Sequence, residues 1–176
     1  MIVILLSVDG ALGNTGVAIL KDGEPIYIGR IKTTKNKKTQ YESERILYIY
    51  GELSRLIGEF QPNIVVVENQ YASRLNAKTS LSLARIRGII QLLCAQHHLP
   101  CYALEPKQIK KTVAGSGNAD KKAIHDKIID LFKEYKIVQE SIGKFHDKGK
   151  EKNDDISDAL AIAYAYIQDP NQAIRI

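Results

Sequence analysis

Two short apolar runs, Ile2–Val8 and Ile64–Val67, each end against a carboxylate, Asp9 in the first case and Glu68 in the second. Runs this short and this apolar read as buried strands. Between them, Tyr41 to Phe60 carries Ile46, Ile49, Leu53, Leu56, Ile57 and Phe60 at helical spacing and stops before Pro62. If the two strands lie side by side and parallel, about 4.8 Å apart, Asp9 and Glu68 emerge at the same sheet edge. There they can share one ion or clamp a pair.

The remaining pattern is consistent with this arrangement. Gly16–Leu20 and Pro25–Ile31 read as further strands, joined by a hairpin turn at Lys21-Asp22-Gly23. Ala77 to about His97 reads as a second helix, Cys101–Leu104 as a fifth strand, Ala119 to Tyr135 as a third helix and Asn153 to Ile167 as a last one. Residues 141–152 are polar and rich in Gly and Lys, and read as a mobile connection. With no internal repeat and no Pro/Ser-rich linker, the expectation is a single α/β domain over residues 1–176. A meander followed by two crossover units predicts a mixed five-stranded sheet, antiparallel meander plus parallel strands, flanked by helices. Folds of this kind bind ligands at the carboxyl ends of strands, at the switch point of the sheet.

The last helix supplies two more carboxylates. Asp155 and Asp158 are three positions apart, about 60° around the axis and on one face. Ile156, Leu160, Ala163 and Ile167 are its expected packing positions, and the alanines from Ala159 to Ala165 permit close approach to the sheet. Acidic residues at a helix N-terminus are favoured by the macrodipole, which accounts for Asp154. That account fails for Asp158, which lies beyond the first turn, is followed by apolar residues, and has no basic partner at helical spacing. Asp9, Glu68, Asp155 and Asp158 are therefore the candidate metal ligands. Hard oxygen donors without a Cys/His cluster favour Mg²⁺ or Mn²⁺ over Zn²⁺. Cys94 and Cys101 lack zinc-site spacing and read as buried hydrophobes. His97, His98, His125 and His146 are isolated in sequence and read as structural or surface residues.

Composition adds a polyanionic substrate. The formal net charge is +5, with 44% apolar and 26% charged residues. Arg30, Lys32, Lys35, Lys37 and Lys38 form one basic run; Lys107, Lys110, Lys111, Lys121 and Lys122 form another around the Gly115-Ser116-Gly117 turn. Such clusters suit phosphate contacts, and a solvated loop surface is the plainer alternative. Lys121, near the start of the third helix, can place a cation beside a reacting phosphate. No window reaches the roughly 18 apolar residues of a membrane span, and the N-terminus lacks a basic leader segment. The expectation is a cytoplasmic protein with no membrane association.

Taken in order, Val8-Asp9-Gly10 with Asn14-Thr15-Gly16, Val67-Glu68-Asn69-Gln70, Gln108-Ile109-Lys110-Lys111-Thr112-Val113 with Gly117-Asn118-Ala119-Asp120-Lys121, and Asp155-Ile156-Ser157-Asp158-Ala159-Leu160-Ala161 resemble the RuvC family of Holliday junction resolvases. The motifs span nearly the whole chain. The resemblance implies a ribonuclease H-like fold, a homodimer, and cleavage of four-way DNA junctions with two Mg²⁺ ions about 3.5–4 Å apart, Mn²⁺ substituting. By motif position, Asp9, Glu68, Asp155 and Asp158 match the family's metal-binding carboxylates. Lys110 and Lys121 match its basic residues near the scissile phosphate, and Tyr71 matches an aromatic that stacks on a base. A branch-migration helicase is an implied partner. The family's usual Asp-Pro-Gly is replaced by Asp9-Gly10-Ala11, and segment 141–152 also departs from the bacterial pattern. Both departures bear on substrate selectivity.

Tyr71 heads a loop that continues through Arg74, Asn76 and Lys78, a mixture suited to stacking on an unpaired base and contacting its backbone, or to an ordinary surface loop. The helix from Ala77 carries Leu81, Ile86, Ile89, Ile90 and Leu93, more apolar surface than one stripe requires. A two-fold dimer interface would bury the excess, with core packing as the alternative. The sequence thus supports a junction-selective endonuclease acting in recombination and repair, a less selective nuclease acting on flaps, forks or hybrids, or a non-catalytic branched-DNA binder. A complete acidic set weighs against the last.

Overall fold

A computed structural model describes residues 2–33, 41–69, 77–142 and 154–176. Tyr71, Arg74, Asn76, His146, Lys35, Lys37, Lys38 and residues 143–152 of the expected connection lie outside them.

Strand β1 (Ile4–Asp9) turns into β2 (Asn14–Lys21) and β3 (Glu24–Lys32), then come helix α1 (Glu42–Phe60), β4 (Ile64–Glu68), α2 (Ala77–Gln96) and β5 (Cys101–Leu104). Helices α3 (Pro106–Ala114), α4 (Lys121–Leu131), α5 (Lys136–Ile142) and α6 (Asp154–Gln168) follow, then a 3-10 turn (Pro170–Gln172) and a short β6 (Ile174–Arg175). The sheet order is β3-β2-β1-β4-β5-β6. β1, β4 and β5 are parallel neighbours, and the other pairings are antiparallel. The β2–β3 turn has Asp22 at φ 51° and Gly23 at φ 90°, the two consecutive positive values of the hairpin turn whose twist matches its strands.

Among the described residues the sheet has six strands, one more than the sequence predicts. β6 comprises two residues, paired through Tyr102↔Arg175 and Ala103↔Ile174, too short to leave an alternating pattern. Two helices also escape periodicity. α3 has nine residues with only Ile109 and Val113 buried, but Pro106 opens it and Gly115 closes it at φ 76°, its N–H donating to Lys111 O at 2.8 Å. The expected helix 119–135 ends at Leu131, and α5 starts separately at Lys136. Ile167 is 40% exposed, so it does not pack as expected.

Strand parity divides the core. Leu6, Val8, Val17, Ile19, Val65 and Val67 pack under α1 and α2, while Leu5, Ala18, Leu20, Ile28 and Val66 pack under the α3–α6 layer. Period two then assigns Ser7, Asp9, Gly16, Arg30 and Glu68 to the α6 face. α6 sits close to the strands: the Ser7 hydroxyl donates to Ala159 O at 2.7 Å, and Ala159, Ala161, Ala163 and Ala165 are buried.

Candidate active site

The switch point of the sheet lies between β1 and β4, where the chain departs in opposite directions. Val8 is paired with Val67 in parallel register, so the next residues, Asp9 and Glu68, leave side by side at the carboxyl edge. The loop after Asp9 is tied down: the Thr15 hydroxyl donates to Ala11 O at 2.7 Å, and Arg45 donates to Leu12 O at 3.1 Å.

Asp9, Glu68 and Asp158 line one cavity of about 280 Å³ together with Pro106, Ile109, Lys110, Lys121 and Ile124. Three carboxylates from β1, β4 and α6 thus meet two lysines from α3 and α4. Lys121 Nζ lies 3.4 Å from Asp158 Oδ2. This is the basic partner that helical spacing could not reveal, because it comes from another element. Asp155, on the same helix, does not line the cavity; its Oδ2 lies 3.9 Å from the Arg30 guanidinium. Among the described residues no three Asp, Glu, His or Cys side chains are gathered closely enough to hold an ion as they stand.

Electrostatics record the crowding. Burial, then the charges of Asp158, Glu68 and Asp155, push Asp9 up from 3.8 to about 8, with Lys121 opposing. Burial also raises Asp158 and Asp155, against the pull of Lys121 on the first and of Arg30 and Lys121 on the second. Lys121 is raised, chiefly by Asp158. The donor set fits a hard divalent ion: every donor is a carboxylate oxygen, and the repulsion that raises Asp9 is what a cation relieves.

The other candidates are scattered. Lys107 and Lys111 are exposed on α3, and Lys78 is exposed in the first turn of α2. Lys122 points away into a 2.6 Å pair with Asp126 on its own helix. His125 Nδ1 is 3.1 Å from Ser157 Oγ, whose hydroxyl donates to Asp154 O, so this histidine braces α4 against the start of α6.

Several positions emerge only in three dimensions. Asn69 Nδ2 donates to Glu105 Oε1 at 2.5 Å, and Arg87 donates to Asn69 Oδ1 at 2.9 Å, linking the end of β4 to α2 and to the start of α3. Gly16 has no side chain because Asp155 O fills the space, 1.8 Å from where a Cβ would stand. The adjacency of Asn69 to Glu68 was the one sequence signal for the first group; Gly16 offered none beyond its place in the Asn14-Thr15-Gly16 motif.

A mixed sheet of parallel and antiparallel pairs flanked by helices, with an acidic switch point, is the ribonuclease H-like architecture. The family model described as crossover junction endodeoxyribonuclease RuvC matches residues 5–166. The chain therefore belongs to the RuvC family of crossover junction endodeoxyribonucleases. It is 33% identical over 168 residues to the RuvC of Caldicellulosiruptor saccharolyticus, covering 93% of this chain and 91% of that protein. It is 34% identical over 164 residues to the RuvC of Pseudothermotoga lettingae, covering 93% of each. Among solved structures, T. thermophilus RuvC in complex with Holliday junction substrate superposes with a TM-score of 0.76 at 18% identity, covering 99% of both chains. The yeast mitochondrial Holliday junction resolvase gives 0.66 at 18% identity over 93% of this chain and 77% of that one. Among the described residues no helix is long and apolar enough to cross a membrane.

Proposed function

We propose that this chain is a divalent-metal-dependent endonuclease that hydrolyses phosphodiester bonds of four-way DNA junctions. The observation that carries the reading is a cavity at the sheet's switch point where Asp9, Glu68 and Asp158 meet Lys110 and Lys121. Membership of the RuvC family supplies the substrate class.

Asp9, Glu68, Asp158 and Asp155 would hold two Mg²⁺ ions, with Mn²⁺ able to substitute. Ions held by these carboxylates would supply a water of lowered pKa and positive charge to offset that on the phosphate. The ammonium of Lys121, held by Asp158, adds a cation on the same side of the cleft, and Lys110 from α3 contributes a second. Ile109, Ile124 and Ile162 form apolar wall that limits bulk water around those charges. Lys107, Lys111, Lys122 and Lys78 extend the positive surface for the DNA backbone, and Tyr71 with Arg74 stacks on and contacts an unpaired nucleotide.

A two-fold homodimer would set two such sites against opposing strands. Leu81 and Leu92 of α2, 53% and 52% exposed, offer apolar surface for it. The setting is cytoplasmic DNA recombination and repair, with a branch-migration helicase as a further partner. The test compares cleavage of four-way, flap, fork and linear DNA with Mg²⁺ and with chelator. Paired nicks confined to the four-way junction in Mg²⁺ are expected. Equal cutting of every branched substrate would assign a less selective nuclease, and full activity in chelator would rule out the metal-dependent reading.

A further inference from the structure

Asp9, Gly16 and Arg30 form one row across three strands: Asp9 is paired with Gly16, and Gly16 with Arg30. Paired residues project to the same face, here the face under α6. The row therefore sets a carboxylate and a guanidinium on either side of a residue with no side chain. The α6 backbone enters that gap at Asp155, whose carbonyl takes the place of a Gly16 side chain. From this position the Asp155 carboxylate has two directions to turn, inward to Asp9 or outward to Arg30. It turns outward: Oδ2 is 3.9 Å from Arg30, and the cavity is lined by the other three carboxylates without it. The side chains of Arg30 and Asp155 are only 17% and 24% exposed, so solvent screens them less than a surface pair.

We infer that Arg30 is a positioning residue that acts as a standing counter-cation for Asp155, holding its carboxylate at the outer flank of the acidic cleft until a divalent ion draws it in. The inference rests on the reading that the cleft holds divalent ions. It accounts for a cavity lined by Asp9, Glu68 and Asp158 while Asp155, on the same helix as Asp158, stands beside Arg30. A guanidinium stays charged at every working pH, so its competition for Asp155 is permanent. The protein's own cation affinity is thereby set below that of four unencumbered carboxylates.

Titration calorimetry with Ca²⁺, on DNA-free protein at fixed ionic strength, tests this without turnover. Arg30→Gln should bind Ca²⁺ about threefold to tenfold more tightly than the unmodified protein, with Arg30→Lys shifted less in the same direction. In an Asp155→Asn background the Arg30→Gln change should have little effect, because Arg30 acts through that carboxylate. Equal or weaker binding by Arg30→Gln overturns the inference. So does an equal gain in both backgrounds, which would leave only through-space repulsion. If thermal unfolding shows that Arg30→Gln does not fold, Arg30→Lys carries the test, and no gain there overturns it. Lack of any Ca²⁺ binding by the unmodified protein would instead bring down the metal-site reading, and the inference with it.

Discussion

The two faces of the sheet are held by different means. Under α1 and α2 the contacts are side chain against side chain: Leu53, Leu56 and Ile57 with Ile86, Ile90 and Leu93 cover Leu6, Val8, Val65 and Val67. Under α6 the helix backbone itself reaches the strands, through Ser7 to Ala159 O and through Asp155 O over Gly16. Side-chain packing tolerates small shifts, since neighbours can repack. Backbone seated on backbone does not, and it fixes how far Asp155 and Asp158 stand from Asp9 and Glu68. The face with the chemistry is the one where a helix lined by Ala159, Ala161, Ala163 and Ala165 brings its backbone onto the strands.

The largest separation between the faces should come from one truncation and one addition. Leu53→Ala, beneath α1, should lower stability by about 2–5 kcal/mol while leaving the single-turnover rate of the folded protein unchanged. Gly16→Ala forces a methyl group against the Asp155 carbonyl, so α6 must move, at a cost of about 1–3 kcal/mol. That smaller loss of stability should come with a large loss of cleavage, because the displaced element carries the carboxylates. Urea unfolding and single-turnover assays on both variants check this. Gly16→Ala with normal cleavage would erase the distinction between the faces.

The lysines give a smaller contrast. Lys110→Ala removes a cation lining the cleft and should slow cleavage. Lys122→Ala removes one end of an exposed pair with Asp126 outside the cleft, and should weaken junction binding slightly while leaving the single-turnover rate at saturating protein unchanged. The same assay under matched salt decides; equal losses would mean that both lysines act as general phosphate contacts.

A subtler effect is confined to ion-free protein. Asp9 titrates near 8 when folded against 3.8 for the ordinary group. Between those values the folded state keeps a proton that the unfolded chain has lost, so this group's contribution to stability becomes less favourable as pH rises through the window and levels off above it. Thermal melts in chelator should therefore show Asp9→Asn gaining on the unmodified protein from about pH 4 to about pH 8. A gain that shrinks with rising pH would contradict the burial of Asp9 and the crowding of Asp158, Glu68 and Asp155 around it.

The strands and the long helices were legible because each buries a repeating face, and Asp9 and Glu68 were legible because they interrupt apolar runs. α3, α5 and β6 were not, since nine, seven and two residues are too few for a period to declare itself. Pairings between distant elements were hidden for a different reason. Lys121 meets Asp158 only because α4 packs on α6, and Arg30 belongs in sequence to a basic run, whereas the strand register places it opposite Gly16. The candidate ligands could be found in one dimension; the groups that orient them could not.

The most direct test of the central claim is single-turnover cleavage of a four-way junction in Mg²⁺ by Asp158→Asn and Asp154→Asn, with junction affinity measured alongside. Both changes neutralise a carboxylate on α6, but only Asp158 lines the cleft. Asp158→Asn should lose about a hundredfold or more in rate while binding the junction as well or better, since a negative charge near phosphate is gone. Asp154→Asn should cleave normally. Activity lost in Asp154→Asn and kept in Asp158→Asn would contradict the assignment of the cleft as the hydrolytic site.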